Sequence, residues 1–241
     1  EISACLVGSE MCIRDSASLK NTVVFTVITV PLQTAGSLVL AAVIAELFHN
    51  KFGNFVKSSL FVPVIASAIL VGTLWFTLLS PRGVVNSIIH AFGLPSVNWL
   101  GGKLTSMLSV CIVSVWKNVG YFLVIYFAGI MDIPRSLYEA AEVDGANAFQ
   151  RFFKITLPGL SSVTFLVVTL GTIWSFQVFD LVYTMTGGGP GTSTVTLVLT
   201  TYNAAFKEYN MGYASAVAML MFVFVLAVSG LQKLLLKGGE D

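Results

Sequence analysis

The chain has 241 residues, of which 56% are hydrophobic and only 10% charged, and its net charge is +1. Because soluble domains average roughly 25% charged residues, so few charges cannot cover the surface of a soluble fold of this size. Disorder, a coiled coil and a basic nucleic-acid-binding face are excluded. The chain is therefore predicted to be all-α, a polytopic membrane helical bundle.

The first 17 residues stand apart from the rest of the chain. Residues 1–17 fit no membrane span and no amphipathic period, and they lack the basic start and apolar core of a signal peptide. They are predicted to be a non-native or disordered tract, because Glu1–Ser16 looks like translated sequencing-adaptor DNA; the alternative is an ordinary extracellular loop end. Residues 18–237 are predicted to form the transmembrane domain, and residues 238–241 a short C-terminal tail.

Five long stretches with few or no charges predict five membrane spans, since about 20 apolar residues cross a bilayer as a helix. The predicted spans are residues 23–45, 58–80, 104–131, 157–185 and 211–232. Helices are expected because strands of a lipid-facing barrel are shorter and alternate in polarity. Lysine and arginine in the connections are more numerous on one side, which places the loop 132–156 in the cytoplasm.

The loop 132–156 is the most informative connection. Pro134 is a good first residue for a short helix, Gly145 supplies a left-handed stop, and Asn147 caps a second short helix. The second helix carries aromatic side chains on one side, at Phe149, Phe152 and Phe153. Two interpretations follow from the physics alone: an amphipathic connector on lipid headgroups, or a surface on which another protein docks.

Two clusters of polar and aromatic side chains inside the predicted spans are candidates for a solute path. Charged groups inside a membrane are costly and usually face a cavity or a partner, and sugars bind to hydrogen-bonding groups beside aromatic faces. The candidate residues are Trp116, Lys117, Asn118 and Tyr121 in the third span and Phe176, Gln177, Phe179 and Asp180 in the fourth. The alternatives are a structural ion pair between Lys117 and Asp180, or aromatic residues of the membrane interface.

Enzymatic chemistry is not indicated anywhere in the chain. The glycine-rich segment Gly187–Thr194 lacks the lysine with which a P-loop reaches phosphates, so no nucleotide site is expected. The three cysteines have no metal-binding spacing, and no credible Ser-His-Asp set is present. We expect no catalytic residue, no metal and no cofactor in this chain.

The loop 132–156 resembles the EAA loop of binding-protein-dependent ABC importer permeases. The matching pattern is Glu139-Ala140-Ala141, then Gly145 after three intervening residues, then Ile155-x-Leu157-Pro158 after nine more. Further resemblance to the carbohydrate branch, of the maltose and glycerol-3-phosphate first-permease type, lies in Asn21-Thr22, Asn98-Trp99-Leu100-Gly101, Trp116–Gly120, Ser175–Asp180 and Gly187-Gly188-Gly189-Pro190. Permeases of this family usually have at least six spans, so the resemblance implies that the first span is missing here.

The resemblance also implies a mechanism. In this family the EAA loop is a coupling helix that docks into a cytoplasmic ATPase. Glu139 and Gly145 match the residues of this loop that couple it to the ATPase. The residues that match the positions setting the shape of the loop are Ala140, Ala141, Asp144, Leu157 and Pro158. The stretch of the fourth span at Gln177 matches a part of the family that contributes to the sugar site.

The resemblance therefore implies a permease subunit of an ATP-driven importer of an oligosaccharide or sugar phosphate. Its expected partners are two ATP-binding subunits, a second homologous permease, an extracytoplasmic solute-binding protein and the sugar, in a prokaryotic plasma membrane. The alternative is an autonomous secondary transporter or channel for a small polar solute, which has no use for an ATPase-docking loop.

Overall fold

The computed structural model describes residues 2–47 and 51–237, and these residues form helices and turns with no strand among them. The helices are α1 (Ile2–Leu47), α2 (Lys51–Ile65), α3 (Ala68–Leu78), α4 (Val84–Ala91), α5 (Lys103–Asp132), α6 (Arg135–Val143), α7 (Ala148–Arg151), α8 (Leu157–Gly159), α9 (Ser161–Phe176), α10 (Asp180–Met185), α11 (Leu197–Tyr202) and α12 (Met211–Lys237). Two π-helical turns, Phe152–Thr156 and Asn203–Lys207, follow α7 and α11. The prediction of an all-α fold is confirmed, and the predicted tail 238–241 lies outside the described residues.

Three of the described helices are long and apolar enough to cross a membrane: Arg14–Glu46, Lys103–Asp132 and Met211–Leu234. The number rises to five if each of two broken helix pairs counts as one span. Helices suit these apolar stretches because a helix satisfies its own backbone hydrogen bonds where lipid offers no partner. Three of the five predicted spans are thus found as long helices, and the other two fall on the broken helix pairs.

The predicted span 58–80 is not one continuous helix. Helix α2 ends at Ile65, and α3 starts after Ser67, which has an extended ψ of 137°. The carbonyl of Ser67 then accepts from the N–H of Val71 over 3.0 Å, which opens the new helix. Absence of charge predicts burial in a membrane but carries no information about such a break.

The predicted span 157–185 is broken twice. The helix Ala148–Gly159 meets α9 at an angle of 70°, and α9 is separated from α10 by the non-helical residues 177–179. In this second break the Thr196 hydroxyl donates to the Val178 carbonyl over 3.2 Å. A side chain thus satisfies a carbonyl that the helix leaves unpaired, which is how a break is tolerated at membrane depth.

The helices contribute to two compact units. The first contains Glu1–Thr29, Ala66–Val115 and Thr172–Val228, and the second contains Val30–Ile65, Trp116–Gly171 and Ser229–Asp241. In the first unit, a buried core forms around residues such as Phe25, Val110 and Met185.

In the same unit Gly72 lets α3 pack closely on α10, since a Cβ there would overlap the Thr184 side chain. A hydrogen bond of 3.0 Å joins the hydroxyls of Thr29 on α1 and Ser175 on α9, so these two buried polar side chains are paired inside the unit.

The core of the second unit centres on α5. Phe122, Leu123 and Tyr126 are fully buried there and cluster with residues of α1 and α9. Helix α2 approaches α5 so closely that a Cβ at Gly120 would overlap the carbonyl oxygen of Leu60. Small residues allow such backbone contact between membrane helices.

Substitution Gly120→Ala is expected to destabilise the protein, because a backbone carbonyl cannot move aside as a flexible side chain can. Overpacking of this kind costs about 1–3 kcal/mol, which for a chain of this size lowers the Tm by about 3–10 °C. Gly36→Ala is the matched control, since its Cβ would lie at an ordinary 3.7 Å from Val119 Cγ2. Thermal unfolding of both purified variants tests this, and equal Tm values would contradict the close approach.

Helix α1 differs from the expectation for residues 1–17. It extends back to Ile2, so the tract predicted to be disordered is helical instead. Two side chains of this tract make contacts within the first unit: Arg14 Nη1 donates to Glu208 Oε1 over 2.7 Å, and Tyr213 donates to Asp15. The Arg14 guanidinium also lowers the pKa of the Glu208 carboxyl. The non-native origin of this tract stays a prediction.

Candidate functional site: the coupling loop and the solute path

The first short helix of the loop 132–156 is α6, which carries the Glu-Ala-Ala triplet. It starts at Arg135, so Pro134 with its extended ψ of 127° is the N-cap and not the predicted first residue of the helix. None of its residues is buried, and Glu139 and Ala140 are exposed while Ala141 is half-buried. Helix α6 is therefore a projecting helix whose small side chains leave its backbone open to close approach.

The end of α6 is set by Gly145, whose φ is +76°. The N–H of Asp144 bonds to the carbonyl of Ala140 over 3.0 Å, and that of Ala146 to the carbonyl of Ala141 over 2.9 Å. These bonds are typical of a helix that ends in a left-handed residue. The predicted glycine stop is confirmed, and open space surrounds the site of a Cβ at Gly145.

Asn147 then caps the second short helix, as predicted. Its side chain accepts from the N–H of Gln150 over 2.9 Å, and its own N–H donates to Gln150 Oε1 over 2.9 Å. This reciprocal capping box fixes the direction of the chain after the turn. The helix then continues through the π-helical turn to Leu157, which packs against the core of the second unit, whereas Pro158 is exposed.

The two short helices expose large apolar side chains. Val143 is 88% exposed and Phe149 is 73% exposed. Phe149 lies 4.6 Å from Phe153 between ring centroids, and Phe153 lies 5.1 Å from Phe152, so the three rings form one apolar surface. Such a surface is typical of a binding interface or of contact with lipid.

A polar network joins the loop 132–156 to the end of α1, and the sequence does not predict it. Arg151 Nη2 donates to Glu46 Oε1 over 2.8 Å, and Arg151 Nη1 lies 3.8 Å from Glu142 Oε2 on α6. The Tyr138 hydroxyl lies 2.9 Å from the Thr156 hydroxyl. Glu46 and Arg151 are 105 residues apart, so no local pattern connects them.

A cavity of about 490 Å³ lies beneath this network, within the second unit. Its apolar lining includes Ala42 and Ala45 of α1 and Ile130 of α5, and its polar lining includes Glu46, Arg151 and Tyr138. The loop therefore borders an open space at these residues, while Phe152 and Leu157 pack against the core of the second unit.

The candidate path residues in α5 belong to the second unit. Lys117, Asn118 and Tyr121 are half-buried and Trp116 is 40% exposed, so all four have accessible surface. The ring of Tyr121 contacts Phe122 edge to face, with centroids 5.4 Å apart. These residues lie in one stretch of the helix, as the sequence requires.

The candidate path residues of the fourth predicted span belong to the first unit and cluster at the break after α9. Gln177 is exposed, Phe179 is half-buried, and Asp180 is the exposed first residue of α10. Phe176 differs from the expectation, because it is 2% exposed and packs against Phe224 with centroids 5.4 Å apart. Gln177 and Asp180 are therefore accessible at the break, whereas Phe176 is packed inside the unit.

A group of aromatic rings adjoins this break. Phe179 stacks on Tyr183 with centroids 5.3 Å apart, and Tyr202 lies 4.9 Å from Phe179 and 5.2 Å from Phe206. The ammonium of Lys207 lies 5.7 Å from the Tyr183 ring centroid. Sequence reasoning missed Tyr202 and Phe206, because they are distant along the chain and carry no motif.

Some residues that resemble the family have structural roles in the first unit. The Asn21 amide donates to the carbonyls of Thr192 and Val195 over 2.7 and 3.0 Å, and the Thr22 hydroxyl accepts from the N–H of Leu197 over 3.1 Å. They hold the glycine-rich segment against α1. Within the described part of the chain, no group of three or more His, Cys, Asp or Glu side chains is arranged to hold a metal ion.

Comparison with known proteins finds a matching family and several named relatives. The family described as "Binding-protein-dependent transport system inner membrane component" matches residues 19–238. The probable ABC transporter permease protein YurN of Bacillus subtilis (strain 168) is 38% identical, covering 93% of this chain and 78% of that protein. The trehalose/maltose transport system permease protein MalF of Thermococcus litoralis is 35% identical, covering 86% of this chain and 69% of that protein.

The sulfoquinovosyl glycerol transport system permease protein SmoG of Agrobacterium fabrum is 36% identical, covering 87% of this chain and 68% of that protein. Among solved structures, a chain of a bacterial ABC transporter involved in the import of the acidic polysaccharide alginate matches with a TM-score of 0.86. It is 24% identical, and the match covers 93% of this chain and 79% of that chain. That likeness shows the fold.

Proposed function

Because the chain belongs to the binding-protein-dependent transport system inner membrane component family, we propose that it is the permease subunit of an ATP-driven importer of a sugar or sugar phosphate. The observation that carries this proposal is α6, a projecting helix with the Glu139-Ala140-Ala141 triplet and a left-handed glycine at its end. An autonomous carrier has no need for such a helix. Relatives named for trehalose and maltose and for sulfoquinovosyl glycerol support the sugar.

Helix α6 is suited to docking in a cleft of an ATP-binding subunit on the cytoplasmic side. The small side chains of Ala140 and Ala141 let another backbone come close, and Glu139 offers an exposed charge to a cation of the partner. Asp144 and Gly145 set the end of the helix, and Leu157 anchors the following segment in the core. Movement of the ATP-binding subunit is thereby passed to the spans.

The chain works with other subunits in this proposal. It lacks the P-loop lysine that reaches phosphates, so ATP is hydrolysed by two separate ATP-binding subunits. A second homologous permease completes the path, and a solute-binding protein delivers the sugar from outside. A solved alginate ABC transporter in complex with an alginate pentasaccharide-bound periplasmic protein supports the solute-binding protein as a partner. The complex resides in the plasma membrane of a prokaryote.

The solute path uses residues that combine hydrogen-bonding groups with aromatic faces, as sugar sites do. Gln177 and Asp180 are exposed at the break after α9, beside the ring of Phe179. On α5 the corresponding residues are Lys117 and Asn118, with Trp116 and Tyr121 beside them. A broken helix is tolerated at membrane depth where it lines a cavity, which favours a path at this break.

Reconstitution tests the proposed function directly. The purified chain alone in liposomes is expected to move no sugar down a gradient, whereas the complex with its ATP-binding subunits, second permease and binding protein takes up sugar only when ATP is present. The panel of probes is maltose, trehalose, lactose and glycerol-3-phosphate. Uptake by the chain alone would instead establish the autonomous transporter.

A further inference from the structure

We propose that Arg151 is a positioning residue that ties the coupling loop to α1, so that α1 moves together with α6. The observation is a single guanidinium shared by three helices. Its Nη2 lies 2.8 Å from Glu46 Oε1 at the end of α1, its Nη1 lies 3.8 Å from Glu142 Oε2 on α6, and Arg151 itself closes α7. The inference rests on the proposed coupling function of α6.

The contact of Arg151 with Glu46 lies beside a cavity of about 490 Å³ that is lined by residues of the loop and by Ala42 and Ala45 of α1. Packing between the loop and α1 is therefore incomplete here, although Phe152 and Ala45 pack against the same buried cluster. Packed side chains transmit displacement because they are nearly incompressible. The contact of Arg151 with Glu46 adds a polar link at the place where this packing is interrupted.

Arginine is suited to this role. Its planar guanidinium presents several donors in a fixed fork, so one side chain hydrogen-bonds the Glu46 carboxylate and lies within ion-pair distance of the Glu142 carboxylate. The Arg151 side chain is 22% exposed, and Glu46 and Glu142 are 45% and 75% exposed. Ion pairs so accessible to water add little to stability, so variants are expected to fold and insert, and their effect is expected in coupling.

The first experiment measures uptake and ATP hydrolysis by the complete complex. Arg151→Glu and Glu46→Arg are each expected to lower sugar uptake at least tenfold while ATP hydrolysis continues, so that more ATP is consumed per sugar. The double variant E46R/R151E is expected to restore the wild-type ratio to within about threefold. Lys154→Glu, which reverses an exposed cation close by, is the matched control and is expected to behave like wild type.

The second experiment needs no sugar. Spin labels at Val43 on α1 and Val143 on α6, both exposed, report the distance between the two helices in the complex. In the wild type this distance is expected to stay constant when a non-hydrolysable ATP analogue binds. In Arg151→Gln it is expected to change by about 2 Å, the scale of helix shifts in switching proteins.

The outcomes separate the two proposals. Absence of ATP-driven uptake by the wild-type complex would overturn the proposed function. Wild-type uptake with an unchanged ATP-to-sugar ratio in Arg151→Glu, or a constant label distance in Arg151→Gln, would overturn the role of Arg151. Failure of the double variant to recover would also overturn the role of Arg151. Misfolding is excluded as the cause of such a failure when the single variants insert normally.

Discussion

Gly145→Leu is expected to abolish ATP-dependent uptake, with a loss of about 100-fold or more, while the protein still inserts into the membrane. Gly145 has a φ of +76°, and a side chain in the left-handed region costs about 1–2 kcal/mol. The loop relieves this strain by turning differently, which moves α6 out of line with its partner. Displacements of about 1 Å are enough to cost about 100-fold in precisely positioned systems.

Gly93→Leu is the matched control for this prediction. Gly93 has the same φ of +76°, and nothing lies near the site of its Cβ either. The same backbone strain is thus introduced outside the coupling loop. Uptake is expected to fall less than about threefold in Gly93→Leu, and equal losses in the two variants would show that strain alone, and not the coupling helix, is responsible.

The double substitution of Lys117→Met with Asp180→Leu is expected to leave insertion intact and to lower uptake at least tenfold. Replacing an ion pair by apolar residues is often neutral or stabilising when the pair is only structural. If the two residues line the sugar path, their loss removes hydrogen bonds to the solute. The exposure of Asp180 beside Gln177, at a break in the helix, favours the second outcome.

Lys103→Met provides the comparison for the lysine, because Lys103 is the exposed first residue of the same helix, α5. It is expected to retain uptake, whereas Lys117→Met loses it. Uptake and KM for the sugar are measured in the reconstituted complex. Transport by the double variant at the parental rate would show that Lys117 and Asp180 serve the structure and not the path.

Sequence predicts the local features of the coupling loop because their chemistry is local. Gly145 ends α6 since only glycine adopts its φ without cost, and Asn147 caps α7 since its short side chain reaches the Gln150 N–H. The positions of the spans follow from absence of charge. These features need no knowledge of distant residues.

Other features depend on contacts between distant segments. The break at residues 177–179 is supported by Thr196, and the Arg151 network depends on Glu46. Residues 2–17 also continue α1 although the tract has no amphipathic period, and Arg14 within it hydrogen-bonds Glu208. Contacts between distant segments determine the structure at the break and at the Arg151 network, and a single sequence does not reveal such contacts.

Site-specific crosslinking from Ala140 tests the central proposal, that α6 docks on an ATP-binding subunit. Ala140 is exposed on α6, and a photo-crosslinking residue there in the complete complex is expected to link to the ATP-binding subunit. A probe at Ala128, exposed within the apolar stretch of α5, serves as control and is expected to link to lipid or to the second permease. A complex that imports sugar with ATP, yet links Ala140 only to lipid, would contradict the account.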